Sequence, residues 1–356
     1  MPFSIKELLL ASINSGASDV HLSVGEKPMF RIDGELKPVP NAEPVGSADM
    51  ERSVRELLTP EQKARYEEQR EFDISFSLAT NIKEQRFRAN FFYEKGAPAV
   101  ALRLITANIR TIKQLELPEE LRAVTKLNNG LFLVTGPTGS GKSTTLAAMI
   151  QEINLTRQVH IITIEDPIEY LYSSELALIH QREIGRDTKN FANALRGAMR
   201  EDPDVILIGE MRDLETIAAA VTAAETGHLV FGTLHTRDAA QSIDRIIDVF
   251  PPHQQRQICV QLSLVLIGVL SQQLIPLSSS RGRTVATEYL IATNAVRNCI
   301  RDGKSSQIKN TIQTGSSLGM HTMDQDLARL CKSGVISKEA ALMRAYDVDM
   351  FNRYLS

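Results

Sequence analysis

The nine residues Gly136-Pro137-Thr138-Gly139-Ser140-Gly141-Lys142-Ser143-Thr144 match the pattern G-x-x-x-x-G-K-[ST] in full. Glycines at these spacings let a loop turn tightly and aim successive backbone N–H groups at phosphate oxygens. Lys142 adds a positive charge at the β- and γ-phosphates, and Ser143 offers a hydroxyl to Mg2+. An apolar strand, Leu131–Val134, leads into the loop and the helical stretch TTLAAMIQEI leads out of it. The N-terminus of that helix favours the same anion. The chemistry implied is binding of ATP with Mg2+. Binding alone does not say how the nucleotide is used, since kinases, GTPases and motors share such loops.

Hydrolysis also needs a group that orients or deprotonates water close to the phosphates. In many such enzymes a strand ends on an acid that helps to hold the metal. Here the strand Val205-Ile206-Leu207-Ile208 runs into Gly209, and the carboxylate arrives one residue later, at Glu210. Glu210 can serve the water. The stretch TIEDPIEY ends a second apolar strand with Glu165, Asp166 and Glu169, which can supply outer contacts to metal or water. A salt bridge or a helix cap is the plainer role for Glu169. In TGHLVFGTLHT, His228 and His235 flank one strand. An imidazole there can bond a group on the phosphate side and report hydrolysis to a neighbouring element. Without a third suitably spaced ligand, the pair does not point to a metal site.

The elements that must carry these residues alternate along the chain. From LFLVTG to HLVFGTLHT, short apolar strands and helical stretches take turns, which predicts a mostly parallel sheet covered by helices. The preceding hundred residues have a different rhythm. They predict a small α+β domain: a capped first helix with Ser4 and Glu7 in capping-box spacing, a hairpin turning at Asp33-Gly34, and two helices within 47–70. The second of these opens on Thr59-Pro60-Glu61-Gln62, and three strands follow. The expected division is a domain over 1–106, a connector over 107–120 and a nucleotide-binding domain over 121–356, mainly helical from about residue 286.

Composition narrows the partners. The 356 residues carry a formal charge of −3, with 43% hydrophobic and 23% charged residues. This is ordinary globular composition, and it gives no basic footprint for a standing grip on nucleic acid. Cys259, Cys299 and Cys331 are far apart, which fits a reducing compartment better than a disulfide framework or zinc site. The opening MPFSIKELLLAS is too short in its apolar run for a secretory signal. From Ile258 to Ser280 there is no formal charge, but Gln261, Ser263, Gln272, Gln273 and Pro276 interrupt the run. A buried core helix is expected there rather than a membrane span, with membrane contact only through partners.

Taken together, the loop GPTGSGKST, TIEDPIEY, REDPDVILIGEMRD and TGHLVFGTLHT resemble the secretion-superfamily ATPases. The resemblance is strongest to the branch that retracts type IV pili, because NAVRNCIRDGK (294–304) and TGSSLGMHTMDQDL are similar to that branch's C-terminal signatures. It covers nearly the whole chain. It implies an N-terminal PAS-like domain, a RecA-like ATPase domain and a homohexamer. The ring would work in the cytoplasm, peripheral to the inner membrane at the pilus base, against a membrane platform protein. It also implies that a Gly-Glu strand ending is normal, with Glu210 as the catalytic glutamate. Arg88 and Arg103, then Arg196 and Arg200, match arginines that reach the nucleotide in related enzymes, a task suited to the planar guanidinium fork. Val296 and Cys299 depart from the signature, both as apolar replacements. An accessory retraction ATPase, a pilus-extension or type II secretion motor, and more distantly a nucleic-acid-transfer ATPase, are the other readings.

Overall fold

The computed structural model describes residues 3–32, 34–79, 84–105, 109–279 and 282–356. Contacts divide the chain into two units: Met1–Asn108 with Glu169–Leu171, and Ile109–Ile168 with Tyr172–Ser356.

The first unit contains α1 (Ile5–Asn14), β1 (Asp19–Ser23), β2 (Met29–Ile32), β3 (Glu35–Pro38), α2 (Ser47–Leu57), α3 (Pro60–Gln69), β4 (Glu71–Ala79), β5 (Glu84–Glu94) and β6 (Ala97–Ile105). Its strands form one antiparallel sheet in the order β3-β2-β1-β6-β5-β4, a PAS-like arrangement. The local chemistry explains the helices. Ser4 accepts the Glu7 N–H at the start of α1. Thr59 and Gln62 close a full capping box on α3. The β2–β3 pairing places Ile32 opposite Glu35, so two residues make the turn. Gly34 takes a φ of +85° there, and Asp33 lies outside the described residues. Val20, Leu22, Phe87, Phe91 and Leu102 bury one sheet face beneath the helices.

The opposite face carries a row of charge. Register aligns Arg31 with Asp19, Asp19 with Arg103, and Arg103 with Arg88. Arg103 bonds Asp19 at 2.8 Å, and Arg88 lies 3.7 Å from Asp73. Like charges directly opposite one another in a sheet are unfavourable unless carboxylates or another anion offset them.

The second unit runs α4 (Leu121–Val124), β7 (Gly130–Thr135), α5 (Lys142–Thr156), β8 (His160–Glu165), β9 (Leu178–Glu183), α6 (Phe191–Ala198), β10 (Val205–Ile208), α7 (Leu214–Glu225), β11 (Leu229–Leu234), α8 (Ala239–Asp248), α9 (Pro252–Val265), β12 (Leu266–Pro276), β13 (Arg283–Ile291), α10 (Asn294–Arg301), α11 (Ile308–Thr314), α12 (Met323–Lys332), α13 (Lys338–Leu342) and α14 (Val348–Leu355). Its sheet has the order β13-β12-β7-β11-β10-β8-β9, parallel throughout except for the β12–β13 pair. This is a RecA-like core with C-terminal helices. Residues 109–120 belong to this unit, with Ile112 and Leu117 buried in its core.

Two sequence expectations fail here. The uncharged run from Ile258 to Ser280 is not one core helix: α9 stops at Val265 and β12 starts at Leu266. A strand buried on both faces reads as continuous apolar sequence, which periodicity cannot tell from a buried helix. Gly268 marks the difference, since a Cβ there would stand 2.5 Å from the Leu290 carbonyl oxygen. Nor does helix begin near residue 286. β13 continues to Ile291 and α10 starts at Asn294, capped by Thr293. Among the described residues no helix is long and apolar enough to cross a membrane.

Candidate active site

Four strands of the second sheet bring their carboxyl ends together, the usual place for a ligand in an open α/β sheet. β7 leads into the glycine loop, β8 ends at Glu165, β10 precedes Glu210, and β11 precedes His235.

The loop turns as its glycines require. Gly136, Gly139 and Gly141 have φ of +143°, +78° and +92°. Lys142 opens α5, and the N-terminus of a helix is a favourable place for phosphate oxygens. The Lys142 ammonium reaches the Gly136 and Pro137 carbonyl oxygens at 2.9 and 3.2 Å, so the charge already sits inside the loop. Beneath it, Gln272 Nε2 donates to the Ser140 carbonyl at 2.7 Å. A Cβ on Gly136 would meet the Gln272 carbonyl oxygen at 2.3 Å.

Gly209 explains why the carboxylate comes one residue late. A Cβ at 209 would lie 3.2 Å from both Glu165 Cα and the Ile164 carbonyl oxygen, so the ends of β10 and β8 close on each other there. The Gly209 N–H donates to Ile164 O at 2.8 Å and the Met211 N–H to Thr233 O at 3.1 Å. Glu210 is thus fixed between two strand ends with its side chain at the loop. Its Oε1 pairs with Arg212 Nε and lies 3.1 Å from His235 Nε2. His235 Nδ1 in turn stands 3.5 Å from Thr138 Oγ1, at the exposed tip of the glycine loop. Burial by itself would push the Glu210 carboxyl up; Arg212 and His235 outweigh it and hold the group below its ordinary value. Glu210 is therefore a carboxylate, ready to accept a proton or orient water.

Glu165 is buried, accepting Thr163 Oγ1 at 2.6 Å and Gln181 Nε2 at 3.3 Å. The charge of Asp166 acts on Arg212. Glu169 groups with the first unit. The two histidines separate: His235 joins Glu210, whereas His228, at the other end of β11, bonds the Ala223 carbonyl at 2.9 Å. Arg88 and Arg103 stand on the charged face of the first unit. Arg196 bonds Asn193 at 2.8 Å and lies 3.5 Å from Glu215 at the start of α7, while Arg200 is exposed.

Three features escaped the sequence reading. Arg212 neutralises Glu210, and its signal was present as a cation two residues beyond the acid. The Thr138–His235 contact joins segments distant in sequence and leaves no local trace. Beside the loop, a cavity of about 280 Å³ is lined by Leu115, Thr144, Gln272, Leu274, Leu277 and Arg283 among others. Its leucines can cover an aromatic base next to Thr144, and its polar groups can bond a ribose. A larger hollow, about 540 Å³, borders His321 and Asp326 and includes none of the glycine-loop residues.

The Ser143 hydroxyl and the carboxylates of Glu165, Asp166 and Glu210 are oxygen donors of the kind a hard cation takes. Among the described residues no cluster of three or more His, Cys, Asp or Glu forms a protein-only metal site; magnesium usually takes most of its oxygens from phosphate and water.

Comparison with known proteins agrees with this geometry. The family model described as "Type II/IV secretion system protein" matches residues 2–331. A Pseudomonas aeruginosa protein named "Type IV pilus retractation ATPase PilT" is 47% identical over 341 residues, 96% of this chain and 98% of its own. A Neisseria gonorrhoeae "Twitching motility protein" is 47% identical over 318 residues, 89% and 84% of the two chains. A crystal structure of the pilus retraction motor PilT with bound ADP superposes with a TM-score of 0.91 at 45% identity, covering 99% of each chain.

Proposed function

The chain belongs to the type II/IV secretion system protein family, and from that membership we propose that it is the ATP-driven motor that shortens type IV pili. It is an ATPase, and the likeness to PilT and to the twitching-motility protein supports retraction as its task. The observation that carries the mechanism is the chain of contacts from Thr138 through His235 to Glu210 and Arg212.

In this reading the phosphates of ATP lie along the first turn of α5. Lys142 moves from its carbonyl contacts to the β- and γ-oxygens. Ser143 Oγ would hold Mg2+, whose chemistry there would be to neutralise phosphate charge, and Glu165 and Asp166 would offer outer contacts to its water. Glu210 accepts the proton of the attacking water. His235 links that carboxylate to the loop tip, so loss of the γ-phosphate is felt by β11 and α8 as well as by the loop. Adenine occupies the cavity under Leu115 and Leu274. Arg88 and Arg103, which face Asp73 and Asp19 on the charged face of the first unit, are proposed as further phosphate-binding groups, as are Arg196 and Arg200. Six copies would form a cytoplasmic ring against a membrane-bound platform at the pilus base, with Mg2+·ATP as fuel.

The test is Glu210→Gln, which keeps the shape and removes the base. ATP binding should persist and turnover should fall by at least about a hundredfold. A host carrying only the variant should accumulate pili that cannot shorten. Loss of pili would instead assign an assembly motor, and an unchanged turnover would remove Glu210 from the chemistry.

A further inference from the structure

His235 is held by a loop of four residues, 235–238, between β11 and α8. Its far side is fastened from outside the nucleotide-binding sheet. The Tyr346 hydroxyl donates to the Arg237 carbonyl oxygen at 2.6 Å and accepts from Gln273 Nε2 at 3.0 Å. Tyr346 lies between α13 and α14, and its own N–H donates at 2.7 Å to Asp324 in the first turn of α12. These C-terminal helices rest on β12 and β13 through an apolar cluster that includes Ile275, Ala286, Met323, Leu327 and Phe351. One phenol therefore reaches from that helical layer to the peptide two residues after the histidine. Burial raises the phenol's pKa strongly, so it remains a neutral donor across the working pH range.

Packing alone does not call for this hydroxyl. Phenylalanine would fill the same volume, but the Arg237 carbonyl would lose its donor and the loop one of its fixed points. Other ties flank it: Thr236 Oγ1 bonds Ser242 at 2.6 Å on the histidine side, and beyond it Asp238 accepts the Gln241 N–H at 2.8 Å and Glu288 the Ala239 N–H at 2.9 Å, but none of these reaches the 237 peptide. A loop this short transmits a shift at 237 to 235, and His235 has little latitude between Thr138 and Glu210.

We propose that Tyr346 is a positioning residue for hydrolysis, its hydroxyl setting the His235 loop so that the imidazole spans Thr138 and Glu210. The C-terminal helices thereby take part in turnover without touching nucleotide. The proposal rests on the reading that His235 and Glu210 serve hydrolysis.

Tyr346→Phe, His235→Gln and the double variant, made in the full chain, test it by steady-state and single-turnover ATP hydrolysis. Tyr346→Phe should lower kcat about fivefold, the effect of one hydrogen bond. KM for ATP should stay within about twofold and the thermal midpoint should be nearly unchanged, since the ring still packs. In the His235→Gln background the same change should have little further effect, because the two residues act in series. An unaltered kcat in Tyr346→Phe overturns the proposal. So does a full fivefold loss added on top of His235→Gln, which would send the influence of Tyr346 elsewhere. Glu210→Gln, run alongside, separates the two levels: a turnover that survives it defeats the site reading, whereas additive losses with Glu210→Gln inactive defeat only the role of Tyr346.

Discussion

Replacing Glu288 with glutamine should change how stability depends on pH more than it changes stability itself. Glu288 sits on β13 with a side chain that is almost wholly buried, and it accepts the Ala239 N–H at the start of α8 and the Met323 N–H at the start of α12. Burial raises its pKa, and the two helix starts only partly offset this, so the carboxyl is pushed up to about 7 from 4.5. The folded protein then holds the proton more tightly than the unfolded chain. The group's contribution to stability falls as pH rises from 4.5 towards 7 and is constant above that. A difference of this size is worth on the order of 3 kcal/mol. Glutamine cannot ionise, and it offers one acceptor oxygen, since its amide nitrogen cannot accept as the second oxygen of the neutral carboxyl group can. Glu288→Gln should therefore cost about 1–3 kcal/mol at acid pH, where one helix amide loses its partner. The gap to the native protein should then narrow by roughly 3 kcal/mol between about pH 5 and about pH 8. Urea unfolding followed by far-UV circular dichroism, at several pH values and without nucleotide, measures the gap. Amide exchange at Ala239 and Met323 localises it. Parallel stability curves for the two proteins over that range would refute the reasoning, because they would mean that Glu288 does not change protonation where its surroundings say it should.

Two further substitutions probe the active site and the sheet beneath it. Arg212→Leu removes the cation that keeps Glu210 ionised, so the Glu210 pKa rises and the acid limb of the kcat profile moves to higher pH; an unmoved limb would show that Arg212 does not control the base. Gly268→Ala places a Cβ 2.5 Å from Leu290 O and 3.2 Å from the Phe132 ring, and should cost about 1–3 kcal/mol by overpacking. That corresponds to a fall in Tm of about 2–4 °C per kcal/mol, and a midpoint unchanged within a degree would contradict the close approach of β12 to β13.

What could be read in advance was whatever a few consecutive residues decide for themselves. The phosphate loop and the caps at Ser4 and Thr59 depend on local spacing, and each appears where its residues place it. The carboxyl-end arrangement of Glu165, Glu210 and His235 followed from the order of apolar strands. The failures have the opposite character. Leu266–Ile275 became a strand because β7 and β13 flank it, a fact about neighbours that its own apolar run does not contain. His228 and His235 look equivalent in sequence, yet a strand separates its two ends, and only one of them faces the loop. The ion pair to Arg212, the contact of Thr138 with His235 and the leucine-lined cavity all arise from chain segments that meet only after folding.

The junction of α9 with β12 has a mechanical consequence. Leu266 is at once the residue that ends the helix and the first of the strand, so there is no slack between them. The helix end is clamped: Arg297 on α10 donates to the carbonyls of Ser263 and Leu264, both at 2.6 Å, and to Ala292 at 3.0 Å. Six residues along the same strand, Gln272 supports the Ser140 carbonyl under the phosphate loop. From Gly268 to Ser271 the strand is braced on both sides by β7 and β13, while between Leu266 and Gly268 its register against β7 shifts. A displacement of the loop floor would therefore travel along a braced strand and meet a single irregular step, at Ile267, before the clamped end of α9.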